Sequence, residues 1–260
     1  ALEGTDVAQV AILACDVAAF RVLEADGVEP VGVAGHSLGE FAALVAAGVL
    51  DLESAVRIVA VRGRAMQAAA ERFPGAMTAL IGVGTEDAGA LCEQARGNDV
   101  LLVANENSPH QVVISGSVAA IERAEALGAE RRIRSIRLSV AGAFHSPLME
   151  PAVEPLSMAI EEATFATPRF PVAANVTGTL VEDPEELRAL LERHVVSPVR
   201  WERCVAALAA AGADTFVEAG PGNVLTKLAK RLVPDAAAIA VGSADDARAV
   251  TARLASADGG

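Results

Sequence analysis

Hydrophobic positions in the first part of the chain repeat with a helical period. Apolar residues recur at three- and four-residue spacing over residues 7–26, which predicts a long helix. Residues 31–34 form a short apolar run typical of a buried strand, and the glycine-rich residues 35–39 then lead into a second helix. Asp51 is placed to cap a third helix that extends to about residue 71. This part of the chain therefore alternates helix and strand.

The periodicity changes over residues 73–140. Apolar runs and helical stretches predict a strand, a helix, two strands, a helix and a strand, at residues 77–83, 86–94, 100–105, 111–115, 119–127 and 133–138. This βαββαβ order is that of the split ferredoxin-like unit. We therefore predict a small ferredoxin-like subdomain over residues 73–140, inserted into a large α/β catalytic subdomain formed by residues 1–72 and 141–260.

After residue 140 the chain returns to alternating helices and strands. Strands are predicted at residues 171–175, 215–218 and 238–241, with helices between them. Such alternation indicates a mainly parallel sheet covered on both faces. The predicted fold class is α/β, with an α/β-hydrolase-like, mainly parallel core and the inserted subdomain. Residues 256–260 are expected to form a frayed end.

Composition and charge narrow the class of protein. The 260 residues are 52% hydrophobic, mainly through Ala, Val and Leu, but no apolar run reaches the roughly 18 residues of a membrane span. The net charge of -13 argues against nonspecific binding of nucleic acid or of an anionic membrane, because both need basic surface. No targeting segment is recognisable, so we expect a cytoplasmic protein, and we expect a monomer.

Cysteines and clustered basic residues add little chemistry by themselves. The three cysteines, Cys15, Cys92 and Cys204, are odd in number and widely spaced, so we interpret them as buried apolar residues rather than as disulfides or metal ligands. Two clusters of basic residues have two possible interpretations. They are the solvated faces of a strand and of a helix, or they form a docking surface for an acidic carrier protein or for a nucleotide phosphate. The two clusters are Arg131, Arg132, Arg134 and Arg137, and Lys227, Lys230 and Arg231.

The candidate nucleophile is Ser37, in the sequence Gly35-His36-Ser37-Leu38-Gly39. This Gly-x-Ser-x-Gly pattern follows a predicted strand and precedes a predicted helix, which is the context of a nucleophile elbow. The glycines permit a sharp turn, and the helix N-terminus stabilises negative charge beside the hydroxyl. The Leu38 amide is the candidate oxyanion donor. The alternative is a serine that only caps the helix.

A serine nucleophile needs a base, and the chain has four histidines. His36 should point away from the cleft, His110 falls in the predicted small subdomain, and His194 ends a predicted helix. His145 lies where the chain re-enters the large subdomain. Because clefts form at such junctions, His145 is the preferred base.

Arg62 lies in the predicted helix after the elbow helix, in surroundings that are expected to bury it. Its neighbours along the chain, among them Ile58, Val59 and Met66, are apolar. An arginine in such surroundings needs an anionic partner. The partner is either a carboxylate of the protein or the carboxylate of a substrate, and the residues by themselves leave both open.

Six segments occur in an order that resembles one known family. They are Gly-His-Ser-Leu-Gly-Glu at 35–40, Arg-Gly-Arg-Ala-Met-Gln at 62–67, Asn-Glu-Asn-Ser-Pro-His-Gln-Val-Val-Ile-Ser-Gly at 105–116, Gly-Ala-Phe-His-Ser at 142–146, Ser-Pro-Val-Arg-Trp at 197–201 and Glu-Ala-Gly-Pro-Gly at 218–222. The chain resembles the malonyl-CoA:acyl carrier protein transacylases of fatty acid synthesis and the acyltransferase domains of polyketide synthases.

The resemblance implies a ping-pong acyltransferase. Malonyl would pass from coenzyme A to Ser37 and then to the phosphopantetheine thiol of an acyl carrier protein, with no further cofactor and no metal. His145 would act first as general base and then as general acid. Arg62 would hold the malonate carboxylate, a contact worth about 1.5–3 kcal/mol, which selects malonyl over acetyl.

The resemblance also assigns residues around the substrate. Gln111 would line the pocket, and Phe144 would leave little room for an α-methyl group, which favours malonyl over methylmalonyl. A backbone carbonyl at His194, rather than an aspartate, would hold His145. Many bacterial members have glutamine at this position, so a contribution from the side chain would put the tautomer of His145 in doubt.

One departure from the family keeps alternatives open. Members begin with a strand and a Gly-Gln-Gly loop that supplies a second oxyanion donor, and no Gly-Gln-Gly occurs in these 260 residues. We interpret the sequence as the retained or ordered part of a longer chain. The alternatives are a serine hydrolase of the α/β-hydrolase class, which shares the elbow but has its histidine late in the chain, and a truncated, non-catalytic acyltransferase scaffold.

Overall fold

The computed structural model describes residues 5–257, and this range has a mixed α/β fold, which confirms the predicted class. Its helices are α1 (Thr5–Ala25), α2 (Gly39–Ala46), α3 (Leu52–Arg72), α4 (Thr85–Ala95), α5 (Val118–Glu130), α6 (Val153–Glu161), α7 (Pro184–Glu192), α8 (Trp201–Ala210), α9 (Val224–Leu232) and α10 (Ala244–Ala257). Pro147–Ala152 and His194–Val196 are 3-10 helices. Of the predicted frayed end, residues 258–260 lie outside the described residues.

The strands are short in the first and last parts of the chain and longer in the middle. They are β1 (Val33–Ala34), β2 (Gly75–Ile81), β3 (Leu101–Ser108), β4 (Gln111–Ser117), β5 (Arg134–Arg137), β6 (Val172–Ala173), β7 (Leu180–Val181), β8 (Thr215–Ala219) and β9 (Ala237–Val241). Each predicted strand has a counterpart here. The prediction for β1 was too long, because Val31 is half exposed rather than buried.

Strands β2 to β5 form an antiparallel sheet in the order β3-β4-β2-β5. Successive side chains of a strand point to opposite faces. On one face Leu80 and Ile114 pack with Leu91 of α4 and Ile121 of α5 in a separate hydrophobic core. On the other face Met77 packs in a second small cluster. Both faces of this sheet are therefore covered.

The remaining strands form two short sheets. Strand β1 pairs in parallel with β6, β6 pairs antiparallel with β7, and β8 pairs in parallel with β9. The prediction of one mainly parallel sheet is therefore only partly right for the described residues, since the parallel pairs lie in separate sheets. The chain turns away from the sheet immediately after Ala34, which leaves β1 only two residues long.

The main hydrophobic core lies between helices α1, α2, α3 and α6. It includes Leu13, Phe41, Ile58 and Leu156, each almost completely buried. Helix α3 begins at the Asp51 cap, whose carboxylate accepts a hydrogen bond of 2.7 Å from the Ser54 amide. The helix then packs along this core, and Arg62, midway along it, is buried.

Two further expectations can be compared with the structure. Cys92 and Cys204 are buried as predicted, but the prediction for Cys15 was wrong, because this residue is exposed on the outer face of α1. No helix within residues 5–257 is both long and apolar enough to cross a membrane.

Candidate active site

The turn between β1 and α2 holds Ser37 in a strained conformation. Ser37 has a φ of 52°, in the left-handed region that residues with a side chain rarely adopt. A Cβ atom added to Gly35 would lie 1.9 Å from the carbonyl carbon of Gly39, so only glycine allows the two backbone segments to cross. The turn therefore has the tight geometry of a nucleophile elbow.

The Ser37 hydroxyl faces a histidine. Its Oγ lies 2.8 Å from Nε2 of His145. Nδ1 of His145 lies 3.1 Å from the carbonyl oxygen of His194 and 3.0 Å from that of Ser197. Carbonyl oxygens only accept, so Nδ1 carries the ring proton and Nε2 is free to accept the serine proton. The hydroxyl does not cap α2.

Burial sets the protonation state of His145. The side chain is 3% exposed, and burial, followed by the neighbouring His194 and the Arg62 guanidinium, holds its pKa well below the usual 6.5. At neutral pH the imidazole is therefore neutral. A neutral imidazole is the form that can remove a proton from serine.

Arg62 reaches the same point from α3. Its terminal nitrogen Nη2 donates to Ser37 Oγ at 3.0 Å, and the second terminal nitrogen, Nη1, donates to Oε1 of Gln9 at 2.5 Å. Burial lowers the Arg62 pKa to about 10, so the group stays cationic at neutral pH. Within residues 5–257 no carboxylate forms an ion pair with it, and its Nε has no hydrogen-bond partner.

Glu40 is the acidic residue beside this cation, and it faces His194 instead. Its Oε2 lies 3.1 Å from Nε2 of His194, and both side chains are almost completely buried. Burial raises the Glu40 pKa to about 8 and lowers the His194 pKa well below its usual value. The pair is therefore neutral near pH 7 and leaves the charge of Arg62 uncompensated.

The side chain of His194 does not hold His145. It lies edge-on to the His145 ring, with 5.3 Å between the ring centroids, while its backbone carbonyl makes the hydrogen bond. Glutamine at this position would supply the same carbonyl. The tautomer of His145 is therefore set by backbone oxygens and not by the residue type at position 194.

His36, next to the serine, contacts a different set of residues. Its Nε2 lies 2.8 Å from Oδ1 of Asn107, and its ring lies 5.5 Å from that of Trp201. Asn107 belongs to β3, and the neighbouring Glu106 amide donates to the carbonyl of Val199. The Asn107 contact thus attaches the four-stranded sheet to the elbow, and the Glu106 contact attaches it to the segment before α8.

The other residues named from the sequence take varied positions. The Leu38 amide precedes the first turn of α2 and has no acceptor among the described residues. Phe144 is partly buried between the main core and the second face of the four-stranded sheet. Gln111 starts β4, where its side-chain oxygen accepts a hydrogen bond from Arg231 at 3.1 Å. No hydrogen bond among the described residues joins Gln111 to Ser37.

Sequence reasoning missed three contacts at this site. They are the amide of Gln9 on Arg62, the carbonyl of Ser197 on His145, and the side chain of Asn175 on the Ser37 amide at 2.7 Å. A signal existed for Asn175, since it is the last residue of the predicted strand 171–175, the parallel neighbour of β1, and the carboxyl ends of parallel strands meet at one edge of a sheet. No cluster within residues 5–257 could hold a metal ion.

Known proteins are similar to this chain in sequence and in fold. The model of the acyl transferase domain family matches residues 1–251. The malonyl CoA-acyl carrier protein transacylase of Haemophilus influenzae is 42% identical over 243 residues, which cover 92% of this chain and 78% of that protein. The solved structure of the malonyl CoA-acyl carrier protein transacylase from Coxiella burnetii is 36% identical, with a TM-score of 0.93 over 97% of this chain and 81% of that one.

A solved complex is similar as well. It contains a type II polyketide synthase acyl-carrier protein bound to its malonyl-transacylase. The matching chain is 37% identical, with a TM-score of 0.92, and the match covers 97% of this chain and 82% of that one.

Proposed function

The chain belongs to the acyl transferase domain family, and on that premise we propose that it carries a malonyl group on Ser37. It is a malonyl-CoA:acyl carrier protein transacylase that acts in fatty acid or polyketide synthesis. One observation supports the assignment of the site. His145 Nε2 lies 2.8 Å from Ser37 Oγ, and a guanidinium nitrogen of Arg62 lies 3.0 Å from the same atom. Nucleophile, base and cation thus meet at one oxygen atom.

The first half-reaction loads the serine. Ser37 Oγ attacks the thioester carbonyl of malonyl-CoA while its proton passes to His145 Nε2. The carbon–sulfur bond then breaks, and the leaving thiolate takes that proton from His145. The products are malonyl-Ser37 and free coenzyme A.

The second half-reaction transfers the malonyl group from Ser37 to the carrier protein by the same kinds of step in the reverse order. The phosphopantetheine thiol of the carrier protein gives its proton to His145 and attacks the serine ester. Ser37 Oγ leaves and recovers the proton, so His145 alternates between base and acid. Thioester and serine ester are close in energy, so a histidine held only by carbonyls suffices. The two thiols carry the acyl group, and we propose that no further cofactor is needed.

The tetrahedral intermediate needs hydrogen-bond donors. The Leu38 amide lies at the N-terminus of α2, where helix amides point outward without partners. It is suited to bind the oxyanion next to Ser37. Removal of one such donor typically costs about 10²–10³ in rate.

Acyl selection rests on Arg62. It is a buried cation without a carboxylate partner among residues 5–257, and its Nε donor is unused there. A free carboxylate on the acyl group would satisfy both the charge and this donor. Acetyl offers neither, and so the arginine favours malonyl.

Phe144 and Gln111 are the proposed walls of the acyl pocket. The bulk of Phe144 beside His145 supports malonyl over methylmalonyl, because an α-methyl group needs extra space. Gln111 reaches Arg231 on α9 in this structure, so its proposed contact with substrate requires a different rotamer. His194 contributes through its backbone.

The carrier protein is the proposed second substrate partner. Helix α9 exposes Lys227, Lys230 and Arg231, a basic surface on a protein of net charge -13, which supports docking of an acidic carrier. In the other basic group Arg137 is paired with Glu125 at 2.7 Å, which supports a structural role there. We further propose that the enzyme is a cytoplasmic monomer that binds neither nucleic acid nor membrane.

The finer description of the fold is also a proposal. The strand order and the separate core between β2–β5 and helices α4 and α5 support a ferredoxin-like subdomain over residues 73–140. The strand–elbow–helix unit supports an α/β-hydrolase-like core in residues 1–72 and 141–260.

Intact-mass spectrometry after mixing with malonyl-CoA tests the function. We expect a malonyl adduct on the native protein, none on Ser37→Ala, and loading slowed by about 10²–10⁴ in His145→Ala. His110→Ala is the matched control, because His110 is exposed and should load normally. Normal loading of His145→Ala would remove His145 as the base, and rapid ester turnover without carrier protein would favour a hydrolase. A native protein that never loads would support the non-catalytic scaffold.

A further inference from the structure

We infer that Asn175 is a positioning residue that holds the serine elbow in its reactive conformation. The inference rests on the proposed role of Ser37 as the nucleophile. Asn175 lies two residues after the end of β6 and is completely buried, with 0% of its surface exposed. It is 138 residues away from Ser37 along the chain.

The Asn175 side chain binds the elbow on both sides of His36. Its Oδ1 accepts a hydrogen bond from the Ser37 amide at 2.7 Å, and its Nδ2 donates to the Gly35 carbonyl at 2.7 Å. This pairing uses one acceptor and one donor in the same plane. An ionised carboxylate lacks the donor and an aliphatic side chain lacks both groups, whereas a primary amide of this length supplies the donor and the acceptor at any pH.

The backbone of Asn175 is fixed as well. Its amide donates to Oε1 of the buried Glu40 at 3.2 Å, and its carbonyl accepts from the Arg200 amide at 2.9 Å. Arg200 lies three residues after Ser197, whose carbonyl holds Nδ1 of His145. Asn175 therefore connects the segment that carries the nucleophile with the segment that orients the base.

The left-handed backbone of Ser37 explains why such a support is needed. This conformation is unfavourable for serine and persists only where surrounding contacts maintain it. The hydrogen bond to Asn175 also occupies the Ser37 amide, which leaves the Leu38 amide to face the oxyanion. Loss of the Asn175 side chain would relax the turn and move Oγ relative to His145.

Single-turnover loading of Ser37 tests this role through Asn175→Ala. We expect the loading rate at saturating malonyl-CoA to fall on the order of 10- to 100-fold, because small displacements of reacting groups have effects of this size. The malonyl-CoA concentration at half-maximal rate should change less than about twofold, because Arg62 is untouched and still binds the carboxylate.

Thr78→Val is the matched control for loss of a buried hydrogen bond. Thr78 of β2 is 0% exposed, and its hydroxyl donates to Glu125 of α5 at 2.6 Å. It should lower the melting temperature while leaving the loading rate unchanged. A purely structural role for Asn175 predicts that both variants behave alike.

Asn175→Asp gives a readout that stability alone would not produce. Its ionised carboxylate still accepts from Ser37 but places an oxygen without a proton against the Gly35 carbonyl. Protonation restores a donor there, and burial raises the pKa of an aspartate at such a site. We therefore expect the ratio of variant to native loading rates to rise as the pH falls from 8 to 5.

A fluorophosphonate that labels reactive serines separates this inference from the proposed function. If the native protein fails to load malonyl but its Ser37 is labelled, the malonyl proposal fails. The effect of the Asn175 variants on the reactivity of Ser37 can then still be measured from their labelling rates. Native-like rates in Asn175→Ala by both assays, or a pH-independent ratio in Asn175→Asp, would overturn the role of Asn175. Slower loading in Asn175→Ala, together with an Asn175→Asp rate that recovers relative to the native rate at lower pH, would establish the role of Asn175.

Discussion

The carbonyl oxygen of Ser197 lies 3.0 Å from Nδ1 of His145, so the backbone rather than a carboxylate orients the imidazole. A carboxylate partner would raise the pKa of the histidine and increase its strength as a base. Here burial and the neighbouring Arg62 have the opposite effect and keep the pKa low. In the proposed mechanism this weaker base suits the exchange of an acyl group between a thioester and a serine ester, in which the same group must return its proton.

The low pKa of His145 predicts an unusual pH profile for loading. The imidazole must be neutral to accept the serine proton, and its pKa is lowered well below 6.5. The single-turnover loading rate at saturating malonyl-CoA should therefore stay level as the pH falls through 6.5 and decrease only at lower pH. Stopped-flow loading between pH 5 and 8 measures this. A midpoint at or above pH 6.5 would contradict the assigned environment of His145.

Arg62 should determine the choice of acyl group. In Arg62→Ala we expect the specificity for malonyl-CoA over acetyl-CoA to fall by about 10- to 150-fold, which corresponds to the loss of a charge-assisted contact of about 1.5–3 kcal/mol. The measurement is the ratio of kcat/KM for the two thioesters. Arg64→Ala is the control, because Arg64 is exposed on the same helix. An unchanged ratio in Arg62→Ala would refute the role of the arginine.

Position 35 should not tolerate a side chain. The Cβ of Gly35→Ala would meet the Gly39 backbone at 1.9 Å, so we expect the elbow to be displaced and loading of Ser37 to be lost. Gly89→Ala in helix α4 is the control, since nothing lies within 4 Å of its added Cβ. That change should stabilise the protein by about 0.5–1 kcal/mol. Urea unfolding and mass spectrometry on both variants separate the two outcomes, and full loading of Gly35→Ala would contradict the close crossing.

Glu40 should make stability fall with rising pH. Its pKa is raised from 4.5 to about 8 in the folded protein, so the folded state binds a proton that the unfolded state has released. The resulting stabilisation is complete below about pH 4.5 and is lost as the pH rises through 8. Between pH 6 and 8 we therefore expect the native protein to lose on the order of 1–3 kcal/mol of stability relative to Glu40→Gln.

Urea unfolding of the native protein and of Glu40→Gln at pH 6, 7, 8 and 9 measures this difference. The buried histidines have lowered pKa values and therefore reduce the stability of both proteins below about pH 6.5 to the same extent, so the difference between the two proteins at each pH isolates the contribution of Glu40. Parallel stability curves for the two proteins would show that Glu40 is ionised in the folded state.

The local sequence pattern determined the serine elbow and the order of helices and strands in the middle of the chain. Gly-His-Ser-Leu-Gly between an apolar strand and a helix predicts an elbow, because few other residues permit that turn, and the turn is present with Ser37 at a positive φ. The order of elements in residues 73–140 also follows from periodicity, since each helix or strand must cover its own apolar face. The choice of His145 and Arg62 as partners of Ser37 depended further on the order of motifs.

Tertiary structure decided what residue types cannot encode. Every residue has a backbone carbonyl, so residue types do not single out an acceptor for His145: the family resemblance pointed to the carbonyl of His194, and only the structure showed that of Ser197. Whether Arg62 has a carboxylate partner depends on where Glu40 points, and it faces His194. Asn175 meets Ser37 only because β6 packs beside β1, a pairing between segments about 140 residues apart. The sequence alone therefore determined the candidate reactive groups, and long-range packing decided their orientation, protonation and hydrogen-bond partners.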